Sequence, residues 1–180
     1  EGNYATPANV ILSSTDAGDY VNTVELYNVY SPWVLKGLTI TRTGGTGTQN
    51  YCTRLNKSTI ALDNVFMDGD TRGIRLDGRS YCFIDEGHTI GFIGAMGYGI
   101  ILDSQSSLFG RACNISFSTA SYSNYFVFVT SGSNMNIFLC TITGTFTGSK
   151  YFVNVNGSLE GATYITGGSG GTTATGGTAV

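Results

Sequence analysis

Two aspartates, Asp77 and Asp103, stand 26 residues apart, each closing a short apolar run: Ile74-Arg75-Leu76-Asp77 and Ile100-Ile101-Leu102-Asp103. Hydrolysis of a glycosidic bond needs two carboxyl groups about 5 to 9.5 Å apart, one as acid and the other as nucleophile or base. A chain that stacks these runs on one another supplies such a pair. A turn after a short strand also favours Asp, whose side chain bonds its own backbone, so both readings stand here. Asp63, Asp68 and Asp70 gather just upstream. The segment Asp85-Glu86-Gly87-His88 is the richest local collection of proton-transfer groups, which makes Asp85, Glu86 and His88 candidates for acid and base work. Arg72, Arg75 and Arg79 lie close by in sequence, and Arg75 is a candidate for holding an anionic ligand. Tyr81, Tyr98, Tyr125 and Tyr151 are candidate sugar-stacking residues, because aromatic faces beside polar groups hold sugars.

Metal chemistry has little support. His88 is the single histidine and cannot build a multi-histidine centre. Cys52, Cys82, Cys113 and Cys140 are spaced by 30, 31 and 27 residues, which matches no close metal-binding pair and leaves buried thiols or disulfides open. No metal and no cofactor is expected.

The elements that must position these residues follow from composition and repetition. The chain has 180 residues, 26 of them Gly and 2 Pro, with 11 Tyr, 10 Phe and only 12% charged residues. Abundant Gly, Thr, Ser and Asn favour strands and tight corners over helices, so the fold class is all-β. With 41% hydrophobic residues the chain has material for a core. The net charge of -3 and the absence of a basic run argue against nucleic acid as a partner. No apolar stretch reaches the 18 to 20 residues of a membrane span, so no membrane insertion is expected. The N-terminal Glu1-Gly2-Asn3 without a Met suggests a processed chain or a fragment.

Self-alignment shows a period near 26. Segments beginning at Gly73, Gly99, Phe126 and Phe152 recur at offsets of 26, 27 and 26, each a short alternating run. A second series begins at Leu38, Val65, Thr89, Asn114 and Thr141, and Val34–Ile40 lies over Ala61–Met67 with a shift of 27. Runs this short, each followed by a turn, describe strands on successive walls of a coil. About six coils are traceable over residues 20–166, a parallel β solenoid with equivalent strands stacked at about 4.8 Å. A β-sandwich also has many short strands, but it does not require such self-similarity. One helix is conceivable, Ser104 to Ala112. Alternation places Val127 and Val129, or Phe126 and Phe128, inside, but not both sets. The outward set would need cover, which favours an oligomer. Tyr98, Tyr125 and Tyr151, at offsets of 27 and 26, should form a ladder along one edge. Residues 1–19 read as a cap or lead-in, with Val10-Ile11-Leu12 as a possible strand. Residues 167–180, mostly Gly and Thr, read as a linker or an extended strand.

The tandem coils closed by Asp, as in Ile74-Arg75-Leu76-Asp77-Gly78 and Ile100-Ile101-Leu102-Asp103-Ser104, together with Val34-Leu35-Lys36-Gly37-Leu38-Thr39-Ile40-Thr41, resemble the right-handed parallel β-helix of pectin-lyase-like proteins. Within that group the low charge and the rod-then-glycine-tail organisation look most like a bacteriophage tailspike or tail-fibre segment. The resemblance implies a homotrimer that contacts host-surface polysaccharide, located extracellularly or on the virion surface. It also allows a polysaccharide lyase or glycoside hydrolase on the same fold, or a microbial adhesin.

Overall fold

Runs of three or four alternating residues can bury one face only if the chain turns and repeats, and the computed structural model does this around three walls. It describes residues 10–15, 21–43, 50–69 and 72–180. Strands are numbered in chain order. The first wall stacks β1 (Ile11–Ser14), the end of β3 (Trp33–Arg42), the end of β5 (Thr59–Gly69), the start of β8 (Thr89–Leu102), the start of β10 (Asn114–Val129) and β12 (Thr141–Thr143). The second wall stacks β2 (Asn22–Tyr27), β4 (Tyr51–Asn56), β6 (Arg72–Asp77), the ends of β8 and β10, β13 (Phe146–Val153) and β15 (Thr172–Thr173). The third stacks the starts of β3 and β5, then β7 (Tyr81–Ile84), β9 (Ser107–Gly110), β11 (Asn134–Asn136), β14 (Ser158–Glu160) and β16 (Thr178–Ala179). Every pairing is parallel. The result is a right-handed parallel β solenoid of roughly five regular coils with a period near 26, a fold of the pectin-lyase-like type.

The core is built in columns. Leu26, Leu55, Leu76, Leu102, Val129 and Val153 are in register on the second wall, and all are buried. Such columns contribute about 1.5–3 kcal/mol per fully buried aliphatic side chain. Farther along, the core becomes aromatic. Phe92, Phe117, Tyr122, Phe126 and Phe146 are buried, with neighbouring rings 4.8 to 6.4 Å apart. Gly99 makes room for this cluster, since a β-carbon there would stand 2.6 Å from the Phe126 ring.

Several sequence expectations change. Ser104–Ala112 is not helical: Ser104 and Gln105 both take positive φ, which ends the strand in a turn, and β9 follows. Phe126, Val127 and Val129 are all buried, while Phe128 is half-buried. Strict alternation breaks at this corner, beside a register shift between Tyr122 and Tyr125. Ile11 and Leu12 do lie in a strand, which pairs in parallel with Thr39 and Ile40 at one end of the first wall. The Gly/Thr tail is not a free linker, because β15 and β16 add to the second and third walls. Residues 1–9 of the N-terminal segment and Asp70 lie outside the described residues.

Candidate functional site

The corner between the second and third walls repeats one turn on successive coils: Asp77-Gly78-Arg79-Ser80, Asp103-Ser104-Gln105-Ser106, Thr130-Ser131-Gly132-Ser133 and Asn154-Val155-Asn156-Gly157. The two central residues of each take positive φ, the requirement of a type I′ turn. The fourth residue is buried in every case. The serines there form a polar ladder in which the amides of Ser58, Ser80 and Ser106 donate to the hydroxyls of Ser80, Ser106 and Ser133 at 3.2, 3.1 and 3.1 Å. This ladder satisfies buried amides that would otherwise destabilise the corner. With the fourth residue held inside, the central residues project outward in rows. Tyr30, Lys57, Gly78, Arg79, Ser104, Gln105 and Ser131 line a groove of 670 Å³ that crosses several coils along the rod. The Arg79 guanidinium donates through Nε to Gln105 Oε1 at 2.9 Å, which holds its cation beside the turn of the next coil. Tyr30 is 76% exposed and offers a ring face at one end. The groove therefore combines two cations, an amide, hydroxyls and an aromatic face. Sequence reasoning missed it, although the tetrapeptides recur at the same period as the strands.

Arg75, Asp77 and Asp103 do come together, beside the groove on the outer face of the second wall. Register aligns Glu25, Arg54 and Arg75 across neighbouring strands. Arg75 Nε donates to both Asp77 oxygens at 2.7 Å, Arg54 Nε donates to Asp77 Oδ2 at 3.3 Å, and Arg75 Nη2 reaches Asp103 Oδ2 at 3.5 Å. The buried Tyr51 hydroxyl accepts from Arg72 at 2.6 Å and from Arg75 at 2.8 Å. Burial opposes the charge on Arg75, but the hydrogen bonds to Tyr51 and Asp77 overcome it and raise the guanidinium above its ordinary value. A guanidinium shared by two carboxylates locks the wall in place.

The remaining candidates are dispersed. Tyr98 and Tyr125 are in register, with rings 6.3 Å apart. Tyr151 leaves that ladder, because the register shift after Ser121 pairs Tyr125 with Ser149 and Val127 with Tyr151. Phe152 takes its place, 5.4 Å from Tyr125 and stacked 5.7 Å from Phe128. Tyr81 is on the third wall. Asp85 and Glu86 are exposed in a turn. His88 meets a residue farther up the list of upstream acids: its Nε2 is 3.7 Å from Asp63 Oδ1, while Lys36 Nζ is 3.1 Å from Asp63 Oδ2. Asp63 is buried, and its Oδ1 has no hydrogen-bond partner. Among the described residues, no group of three or more His, Cys, Asp or Glu is placed to hold a metal ion. Compared with family models, curated proteins and solved structures, the chain matches none.

Proposed function

We propose that this chain is a section of an elongated surface protein that contacts an anionic polysaccharide through the groove between its second and third walls, as a bacteriophage tailspike or tail fibre contacts host-surface glycan. The observation that carries the reading is the alignment of Lys57, Arg79, Gln105 and the exposed Tyr30 along one continuous groove. A polysaccharide is long, periodic and rich in hydroxyls, and a rod whose turns repeat along its axis offers it repeated polar contacts. The cations are sparse and the net charge is -3, which suits spaced carboxylates better than a phosphate backbone. The same groove would serve a microbial adhesin. Val34, Phe109, Phe138 and Leu139 are 60%, 38%, 45% and 52% exposed, and we assign this apolar surface to contact between copies in a homotrimer, located extracellularly or on the virion surface. Sedimentation velocity checks that assembly.

The glycan reading is tested by isothermal titration with a polyuronate and a neutral glucan. Binding to the polyuronate is expected, with at least a tenfold loss in the Lys57→Ala/Arg79→Ala variant, about 1.4 kcal/mol or more. Equal binding of both polymers, or an unaffected variant, contradicts it.

One observation favours a second reading, a polysaccharide lyase or glycoside hydrolase: the buried Asp63 oxygen that faces His88 without a hydrogen bond. A carboxylate beside an imidazole can orient a general base. Release of reducing ends or unsaturated uronate, lost in His88→Ala, would support it; no product from a panel of polyuronates would count against it.

A further inference from the structure

Cys113 and Cys140 occupy equivalent positions on neighbouring coils, one residue before the pair Asn114 and Thr141. The Thr141 amide donates to the Cys113 carbonyl at 2.8 Å, which fixes the two backbones side by side. Adjacent parallel strands lie about 4.8 Å apart, within the range of about 4.4–6.8 Å between α-carbons that a disulfide spans. Both side chains are buried, and the two Sγ atoms face one another at 2.7 Å. The other two cysteines have no such partner. Cys82 is in register with Ile60 and Leu108, and Cys52 lies between the pairs Asn22–Tyr51 and Val24–Thr53. Burial pushes both of these thiols up to about 12, so they are inert at neutral pH.

We propose that Cys113 and Cys140 are a redox modification site: oxidised by a small-molecule disulfide, they close a covalent staple between two neighbouring coils. Cys140 is the entry point. The two sulfurs share one hydrogen bond in which either can donate, and that contact holds the Cys140 thiol below its ordinary value. Cys140 is itself buried, but it directly follows the exposed Phe138 and Leu139, so the oxidant reaches it when that turn opens. The Cys140 thiolate attacks one sulfur of oxidised glutathione and expels one glutathione thiolate, leaving a mixed disulfide on Cys140. Cys113 loses its proton as it attacks the Cys140 sulfur, and the second glutathione leaves. The two protein thiols give up two electrons and two protons, and the oxidant becomes two molecules of reduced glutathione. The staple closes the loop of residues 113–140, which includes the exposed turn, and restrains that part of the stack from opening.

The 180-residue chain is incubated with oxidised glutathione, unfolded in guanidinium, alkylated with iodoacetamide and weighed intact, then digested and mapped. Two alkylatable thiols, Cys52 and Cys82, are expected, with a peptide joining Cys113 to Cys140. The midpoint of thermal unfolding should rise by about 5–10 °C and fall back on reduction. Cys140→Ser should leave three alkylatable thiols and no rise in midpoint on oxidation. Four free thiols, a bond to Cys52 or Cys82, a persistent glutathione adduct, or an unchanged midpoint in the oxidised protein would overturn the proposal.

Discussion

The outer face of the second wall carries two different surfaces on one scaffold. In the earlier coils its column reads Glu25, Arg54 and Arg75, tied to Asp77 and Asp103 by charged hydrogen bonds. In the later coils the same column becomes Ile101, Phe128 and Phe152, flanked by Tyr98 and Tyr125. A parallel solenoid places chemically alike residues over one another, so like charges would repel along a column unless opposite charges alternate with them. The charged half meets this by setting Asp77 between Arg54 and Arg75. The aromatic half has no such conflict, because stacked rings attract. Arg72 joins the halves, its guanidinium lying 5.3 Å from the Tyr51 ring and 5.1 Å from the Tyr98 ring.

The two halves should break differently. The largest effect is expected inside the aromatic half, where Phe126→Ala empties the centre of the buried ring cluster and should destabilise by about 3–5 kcal/mol in urea denaturation followed by circular dichroism. Asp77→Ala should follow at about 2–3 kcal/mol, because it leaves two guanidinium groups facing each other without their shared partner. That loss should depend on salt. Raising ionic strength from about 0.05 to about 0.5 M screens the guanidinium repulsion and should narrow the gap from wild type, whereas the Phe126→Ala gap should not move. Phe128→Ala, on the half-buried outer stack, is expected to lose about 1–2 kcal/mol with no salt dependence. Arg79→Ala should change stability by less than about 0.5 kcal/mol, since its side chain is exposed. Its effect belongs to polyuronate binding, and a large loss of stability there would show that the groove is a packing feature instead.

The walls were legible in the sequence because each inward column repeats one residue class, as in Leu55, Leu76 and Leu102. The corners were legible only in part. Asp77 and Asp103 stand out at 26 residues apart, yet what they do depends on Arg75, which is two residues from Asp77 and reaches both carboxylates. Tyr151 shows where a period alone fails. It keeps the spacing of Tyr98 and Tyr125 in number, but the irregularity between Ser121 and Tyr125 shifts the pairing by two residues and moves it out of their ladder. His88 found Asp63 rather than its own neighbours Asp85 and Glu86, because the contact runs between coils. The groove was hidden for another reason. Its turns put non-glycine residues such as Arg79 and Gln105 at positive φ, a conformation such residues adopt only uncommonly, and residue type alone does not announce it. The spacing of 27 between Cys113 and Cys140, by contrast, matches the repeat and is a readable signal of neighbouring coils.

Hydrogen exchange of the full chain with and without a saturating polyuronate tests the central claim most directly, because it reports where along the two surfaces the polymer lies. Slowed exchange is expected at the turns containing Lys57, Gly78–Arg79, Ser104–Gln105 and Ser131–Gly132, with the amides beneath Tyr125, Phe128 and Phe152 unchanged. Protection centred on the aromatic half, or no protection at the turns, would contradict it.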